Sequence, residues 1–466
     1  MTITLGGTPL TIAKDLTISA DGFPSGVTIS GNNASRVFEL LSGHTLELAW
    51  LTISQGDAGG GAGGGILNSN GILTITNGTF TGNDAASGGA LHNTGTATIS
   101  DTVFSGNTAG AEGGAVFVDS GFVTFNRSLF AGNAAVAGGA IHGGPGGNIT
   151  LVNATLNGNS ANDGGGIQCD SGVLTLVNAT VSGNTASGFG GGLDLVGAQL
   201  NIENTIVAAN TGPAPGGGPD VARRTTSTIV PGGANLIGNN DTASFNFPAG
   251  PLVGTPSANL DPLLAPLGVY GGLTQTMALC AGSPAIDAGV ATSNTPSTDQ
   301  RGPGFARVQG TAVDIGAYET GNLAVYAAWA MESIPRGADS SFDGDAEGDG
   351  TRNGDEYGFL LDPALVDSAS RPAPVIVNNG GSREMRVTFP FRPNAADLLY
   401  IVDRSSDLVS FSEIFRYDTS TGTATVTSPP EVSATIDAFA AEIEVIDTDT
   451  VASRIFWRLR ATPISP

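Results

Sequence analysis

What this chain has least of is positive charge. Lys and Arg together number 18 against 42 Asp and Glu, a formal net charge of −24. Such a surface repels phosphate backbones and excludes nucleic acid as a partner. Cysteine is as scarce: Cys169 and Cys280 are the only two, which decides little about redox compartment. No apolar run approaches the roughly 18 residues that a membrane-spanning helix needs, so no transmembrane segment is expected. Helix-length segments are missing from the first half of the chain, because each apolar stretch there is cut by Gly, Asn or Asp.

What is abundant is glycine, 70 of 466 residues, and its placement is periodic. The pairs Gly63-Gly64, Gly88-Gly89, Gly113-Gly114, Gly138-Gly139, Gly164-Gly165 and Gly190-Gly191 recur every 25 or 26 residues, and Asn83, Asn107, Asn133, Asn159, Asn184 and Asn210 keep the same beat. A period of this length marks a repeat architecture. Two residues past each pair stands an aliphatic side chain: Ile66, Leu91, Val116, Ile141, Ile167, Leu193. Strands such as Leu73-Thr74-Ile75 and Leu174-Thr175-Leu176 follow, apolar on alternate positions, as in a strand buried on one face. A further column reads Phe80, Phe104, Phe130, Leu156, Val181, Val207. With 40% apolar residues in strict columns, the glycine content signals a repetitive core and not disorder.

One unit cannot bury its apolar face, but copies stacked about 4.8 Å apart can. The predicted fold is all-β: a parallel β-helix solenoid of about eight to nine rungs over residues 1–265, each rung three short strands and three turns. Like residues then lie above one another, so the Asn column is predicted to form an amide ladder and the Phe column to stack. Glycine fits turns that need positive φ or close backbone approach. The run Gly59–Gly65 looks like a phosphate cradle, but no basic residue follows it and it recurs as punctuation. Cys169 falls in an inward column and reads as a buried thiol. The sequons at Asn33, Asn77, Asn126, Asn148, Asn153 and Asn178 arise from turn Asn followed by strand Ser or Thr, a product of repetition. Met1-Thr2-Ile3-Thr4-Leu5 opens directly on strand-like sequence. An uncapped first rung exposes strand edges, and the expectation is that an export signal and a cap lie upstream.

After the solenoid come three non-repetitive motifs: Ser283-Pro284-Ala285-Ile286-Asp287-Ala288-Gly289, Asp299-Gln300-Arg301-Gly302-Pro303 and Asp314-Ile315-Gly316-Ala317-Tyr318-Glu319. In this order, behind a Gly-Gly/Gly-Asn solenoid with an Asn-Leu-Ile-Gly element, they resemble the choice-of-anchor Q domain of bacterial right-handed β-helix proteins, over about residues 8–320. The resemblance implies a right-handed helix and an exported, often surface-retained protein, extracellular or on the outer cell surface, and defines no reaction. Residues 266–320 are then a closing segment, in which Asp287, Asp299, Arg301 and Asp314 read as a buried ion-pair network at the C-terminal end of the helix.

Residues 321–371 form an acidic linker. Asp345-Ala346-Glu347-Gly348-Asp349-Gly350-Thr351-Arg352-Asn353-Gly354-Asp355-Glu356 has acids at positions 1, 3 and 5, Gly at 6 and Glu at 12 of a calcium loop. A hard cation wants six or seven oxygens, and a loop turned sharply at glycine brings alternate side chains to one centre. The expected structural calcium ligands are Asp345, Glu347, Asp349, Thr351 through its carbonyl, Asn353 and Glu356; the bland alternative is a solvated linker. The segment resembles the EF-hand and thrombospondin type 3 calcium motifs that join modules in exported bacterial proteins. From residue 372 to 466, strand segments such as Leu399–Val402 and Ile455–Arg460 with turns between them suggest a small antiparallel β-sandwich. Tyr400 and Trp457 are read there as sugar-binding or packing aromatics.

Function is sought in the column beside the glycines that faces away from the core: Leu67, His92, Phe117, His142, Gln168, Asp194. His92, Phe117, His142, Gln168 and Asp194 are the candidate ligand face for a polysaccharide or cell-surface ligand, on a chain expected to be a monomer. The competing reading is a polysaccharide lyase or glycoside hydrolase. A hydrolase needs two or three carboxylates within several ångströms; the best cluster available is Asp163, Asp170 and Asp194. The two histidines sit two rungs, about 10 Å, apart, a poor catalytic set.

Overall fold

The computed structural model describes residues 1–320, apart from 24–25, 214–215, 242–246, 248–249 and 281, and the strands of a C-terminal unit between 375 and 463. The calcium loop and its flanking segments lie outside the described residues. The chain forms two compact units, one holding Met1–Leu267, Gly271–Met277 and Gly282–Glu319, the other Thr320–Pro466 with two short pieces of the preceding chain. Among the described residues there is no helix, and so none long and apolar enough to cross a membrane.

The first unit is the expected parallel β-helix. One ten-stranded sheet runs from Thr2–Thr4 to Leu236–Ile237. The other two faces run from Leu10–Ile12 to Val221–Arg224 and from Leu16–Ser19 to Thr228–Gly232. They merge where Val116–Asn126 and Ile141–Val152 continue round the corner between them, with a bulge after Val118. Every pairing in the unit's named strands is parallel and joins equivalent positions of successive rungs, as in Leu91↔Val116 and Val116↔Ile141. The inward column Ile66, Leu91, Val116, Ile141, Ile167, Leu193 is 0% exposed throughout. Phe80, Phe104 and Phe130 stack with centroids 5.0 and 4.9 Å apart and near-parallel rings. Cys169 is a buried free thiol whose pKa burial pushes up to about 12, too high to be a nucleophile at neutral pH.

The glycine pair has a steric cause. Gly113 sits at φ 63°, and a Cβ there would lie 2.1 Å from the Val116 carbonyl oxygen; on Gly114 it would lie 2.1 Å from that of Gly139. The corner residues Asn77, Asp101, Arg127, Asn153, Asn178 and Asn204 also have positive φ, between 45 and 54°, which Asn and Asp tolerate best among non-glycine residues. This accounts for three of the sequon asparagines without a glycan.

The amide ladder is continuous and polar in one direction. Each Asn Nδ2 donates to the Oδ1 of the next, from Asn83 to Asn107 (2.9 Å), Asn133 (3.0 Å), Asn159 (2.9 Å), Asn184 (2.8 Å) and Asn210 (2.9 Å). Asn210 donates in turn to Asp220 Oδ1 at 2.9 Å. The donor end of the amide row thus terminates on a carboxylate, which the column pattern alone does not reveal because a Gly/Pro-rich insertion separates Asn210 from Asp220.

Residues 271–277 and 282–319 of the first unit do not close the end of the helix as the sequence suggests. They lie along the outer face of the ten-stranded sheet. Asn153 Nδ2 donates to the Thr298 carbonyl (2.8 Å), Thr155 Oγ1 to Gln300 Oε1 (2.6 Å) and the Ala317 amide to Thr180 Oγ1 (3.0 Å), while Asn204 Nδ2 reaches the Val290 carbonyl at 2.8 Å. Outward polar side chains on consecutive rungs supply these partners, and a segment with little regular structure satisfies its backbone on them. The ion-pair network is partly as expected. Arg301 pairs with Asp299 at 2.7 Å and lies between the rings of Phe305 and Tyr318, each 4.0 Å from its guanidinium carbon. Asp314 is buried, but Asp287 is exposed and caps the turn at Thr311 and Ala312.

Several buried acids make stability depend on pH, among them Asp220 and Glu319, with Asp194 acting in the same sense. Burial pushes Asp220 up to about 6, and burial followed by repulsion from Asp314 pushes Glu319 up to about 8. In the unfolded chain such groups titrate at about 4. Between those limits the folded state binds more protons than the unfolded one, so stability falls as pH rises. Chemical denaturation is expected to show a decline from about pH 4 to 8; Asp220→Asn flattens its lower part and Glu319→Gln its upper part. A profile that rises with pH and ignores both substitutions contradicts these assignments.

The second unit holds two four-stranded antiparallel sheets, one ordering Val375–Asn379, Ser382–Pro390, Glu442–Asp447 and Val432–Asp437, the other Thr423–Val426, Ser412–Asp418, Leu398–Ser405 and Phe456–Pro463. Tyr400 is 0% exposed, a packing residue and not a surface sugar platform. Of the Trp457 side chain nothing is described.

Candidate functional site

The column His92, Phe117, His142, Gln168, Asp194 is held in strict register by parallel pairing, each residue directly opposite the next. Alternation along each strand turns these side chains away from the core, since both neighbours of His92, Leu91 and Asn93, are buried inward. The column is nevertheless largely covered. Phe117, His142, Gln168 and Asp194 are buried and His92 is half-buried. It is the floor of a groove and not an open face.

One side of that groove follows the column: Asp119, Gly144 and Asp170 on successive rungs, then Val196 and Arg224. The other side is the turn stack Ser87, Glu112, Ala137, Asp163, bridged rung to rung, with Phe189 beyond it. His92 Nε2 faces Asp119 Oδ2 at 3.9 Å, and His142 Nε2 faces Asp170 Oδ2 at 3.3 Å. Phe117 stands between the two imidazoles, edge-on to both, at 5.0 and 5.3 Å between centroids. Gln168 Nε2 donates to Asp170 Oδ1 at 3.2 Å.

At the C-terminal end the three acids Asp163, Asp170 and Asp194 gather round Arg224. Arg224 Nε donates to Asp194 Oδ1 at 2.9 Å, its Nη2 contacts Asp194 Oδ2 and reaches Asp163 Oδ2 at 3.3 Å, and its guanidinium lies 4.6 Å from the Phe189 ring centroid. Arg224 therefore crosses the groove, which explains why Asp194 beneath it is 0% exposed. Burial pushes Asp194 up to about 6 in spite of Arg224. Burial also acts on Asp170, but His142, Gln168 and Arg224 outweigh it and hold its carboxyl below the usual range. Burial lowers the pKa of His92 against the pull of Asp119 and Glu112.

The structure places Asp163, Asp170 and Asp194 around Arg224; sequence reasoning misses Arg224 and Phe189. The insertion after Asn210 breaks the count that would put Arg224 in register. A signal exists: Gly218 has φ 60° and its Cβ position meets the carbonyl of Val221 three residues on, as Gly190 meets Leu193. Counted from Gly218, Val221 takes the column of Leu193, and Arg224 follows. Among the described residues no group of three or more His, Cys, Asp and Glu is arranged to hold a metal ion.

Residues 101–119 match the model of the Chlamydia polymorphic membrane protein repeat. The match covers less than one turn and agrees with the parallel β-helix architecture. No curated protein and no solved structure matches the chain.

Proposed function

We propose that this chain is an exported, cell-surface-associated β-helix protein that binds polysaccharide in the groove floored by His92, Phe117, His142, Gln168 and Asp194, without cleaving it. The observation that carries this reading is the continuity of the floor. Aromatic and polar side chains follow one another in register across five rungs between two polar sides, the geometry that a linear chain of repeating units requires. Three floor atoms, His92 Nδ1, His142 Nδ1 and Gln168 Oε1, have no hydrogen-bond partner among the described residues, and a bound ligand is one source of such partners. The surface location is supported by the choice-of-anchor Q resemblance of residues 8–320 and by the membrane protein named in the matched repeat. A glycan array on the purified protein, coupled to reducing-end and unsaturated-uronate assays, is expected to show binding and no product. Absence of binding to every glycan removes the reading.

One observation favours the lyase or hydrolase alternative. Asp194 is raised to about 6 while neighbouring Asp170 is held low, and carboxylates pushed apart are how one site supplies an acid and a base. Turnover abolished by Asp194→Asn would establish this alternative.

The acidic linker is assigned a structural calcium ion held by Asp345, Glu347, Asp349, the Thr351 carbonyl, Asn353 and Glu356. Glycine at the sixth position and glutamate at the twelfth support it. Extracellular modules bind calcium at about 10⁻⁴ to 10⁻³ M, so the site fills outside a cell. Titration calorimetry of the full chain is expected to show calcium heat in that range, weakened most by Glu356→Gln, which removes the bidentate charge. No heat at millimolar calcium, or an unchanged affinity in Glu356→Gln, removes the site.

A further inference from the structure

The charges of the groove select among polysaccharides. Five carboxylates lie along it, Glu112, Asp119, Asp163, Asp170 and Asp194, against two guanidinium groups, Arg36 and Arg224. Both guanidinium groups are already engaged. Arg36 donates to the carbonyls of Gly63 (3.2 Å) and Ala62 (2.7 Å), and Arg224 is held by Asp194 and Asp163. Beyond the His92 end, where Arg36 stands, the described residues of the groove leave no guanidinium free of an acid partner to receive a uronate carboxylate or a sulfate. Bringing such a group here adds negative charge to a half-buried site, at a cost that low local dielectric enlarges.

Two of the carboxylates are placed differently from the rest. Asp119 and Asp170 have side chains 49% and 32% exposed, and neither is bound by an arginine in an ion pair. Each is backed by a floor histidine, His92 for Asp119 and His142 for Asp170, with the Phe117 ring between. They occupy the same column two rungs apart, about 10 Å by the interstrand spacing, close to the length of two β-1,4-linked pyranose rings. The rung between them carries Gly144, where a Cβ would come 3.2 Å from the Phe117 ring and from the Asp119 carbonyl. With no side chain there, the Phe117 ring packs directly against the rim backbone between the two carboxylates. In the floor beside them, His142 Nδ1 and Gln168 Oε1 are unpartnered, on residues 3% and 7% exposed. Leaving such atoms unpaired costs about 1 to 3 kcal/mol each, a cost that ligand hydroxyls at this floor would offset.

Resting on the reading of the groove as a polysaccharide site, we infer that its ligand is a cationic amino-sugar polymer, with the Asp119 and Asp170 carboxylates each receiving one ammonium group one disaccharide apart. Pyranose rings pass over Phe117 at Gly144, and the ammonium groups lie on the rim against the two acids.

The test is calorimetric titration of the full chain at low ionic strength with three hexamers: glucosamine, N-acetylglucosamine and galacturonate. The glucosamine hexamer is expected to bind about tenfold or more tightly than its acetylated counterpart, with affinity falling as salt is raised, and the galacturonate hexamer not to bind. Asp119→Asn, at an exposed rim position, and Asp170→Asn, at a half-buried one, are each expected to weaken glucosamine binding roughly tenfold, the Asp119→Asn change without moving the melting temperature. Asp15→Asn, whose side chain is 77% exposed in the first rung, leaves affinity unchanged and so separates the two rim carboxylates from the general negative charge of the protein. Equal affinity for the amine and acetylated hexamers, preference for galacturonate, or undiminished binding in the Asp119→Asn/Asp170→Asn double variant overturns the inference and leaves the polysaccharide-binding reading standing. Binding of none of the three hexamers, together with a blank glycan array, overturns both.

Discussion

Ile141→Asp is expected to destabilise the solenoid by several kcal/mol, on the order of 4. The side chain is 0% exposed and lies in register between Val116 and Ile167, so every neighbour in its column is apolar. No base lies within that column to pair a carboxylate, and an unpaired buried acid must either keep its charge at high cost or take up a proton. The position magnifies the loss. In a solenoid each rung is stabilised through its contacts with the rungs on both sides, and Ile141 begins Ile141–Val152, the longest strand of the unit, which pairs with strands on both neighbouring rungs. Thr98→Asp provides the contrast: Thr98 lies exposed in the outward row two rungs away, where the change costs about 1 kcal/mol or less through strand propensity. Denaturant titration of both variants decides the matter, and equal midpoints would show that the inward and outward columns are misassigned.

The solenoid is legible in the sequence because stacking makes each position meet its own equivalents. A column of like residues is simultaneously a sequence pattern and a spatial contact, so Ile66 to Leu193, the phenylalanine stack and the asparagine ladder could be read by counting. Legibility fails where counting fails. Residues 211–219 interrupt the period, and with it went Asp220, which ends the ladder, and Arg224, which crosses the groove to Asp163 and Asp194. It fails again for residues 271–277 and 282–319, whose partners are outward polar side chains such as Asn153, Thr155 and Thr180. Nothing in Thr155 distinguishes a hydroxyl facing water from one facing Gln300, so the closing segment was expected at the end of the helix and lies along its side. The column His92 to Asp194 lies in register as counting implies, but it is largely buried. Alternation gives the side of the sheet on which His142 lies and says nothing of what is laid over it.

Asn133→Leu is expected to cost several kcal/mol as well, although it replaces a polar residue by an apolar one of similar size in a buried site. Asn133 Oδ1 accepts from the Asn107 amide (2.9 Å) and from Asn107 Nδ2 (3.0 Å), and Asn133 Nδ2 donates to the Phe104 carbonyl (3.0 Å) and to Asn159 Oδ1 (2.9 Å). A leucine leaves the Asn107 amide buried and unpaired, at about 1 to 3 kcal/mol, and takes from the Phe104 carbonyl one of its two donors, the other being the Ala131 amide of the parallel ladder. Hydrophobic transfer favours the leucine by a comparable amount for one fully buried side chain, so the sign of the result measures which term governs this turn. The lost hydrogen bonds win on this account, because the strands on either side fix the backbone and the Asn107 amide cannot turn to another partner. Asn133→Asp separates hydrogen bonding from size. It keeps the acceptor for Asn107 but turns an oxygen toward the Phe104 carbonyl and Asn159 Oδ1, where a donor is required. That carboxyl is favoured in its protonated form in the folded state, so its folded pKa lies above the unfolded value and the variant regains stability as pH falls. Melting curves of wild type, Asn133→Leu and Asn133→Asp at acid and neutral pH provide the measurement. A leucine variant as stable as wild type, with an aspartate variant indifferent to pH, would show that the ladder follows from the stack and contributes nothing to holding it.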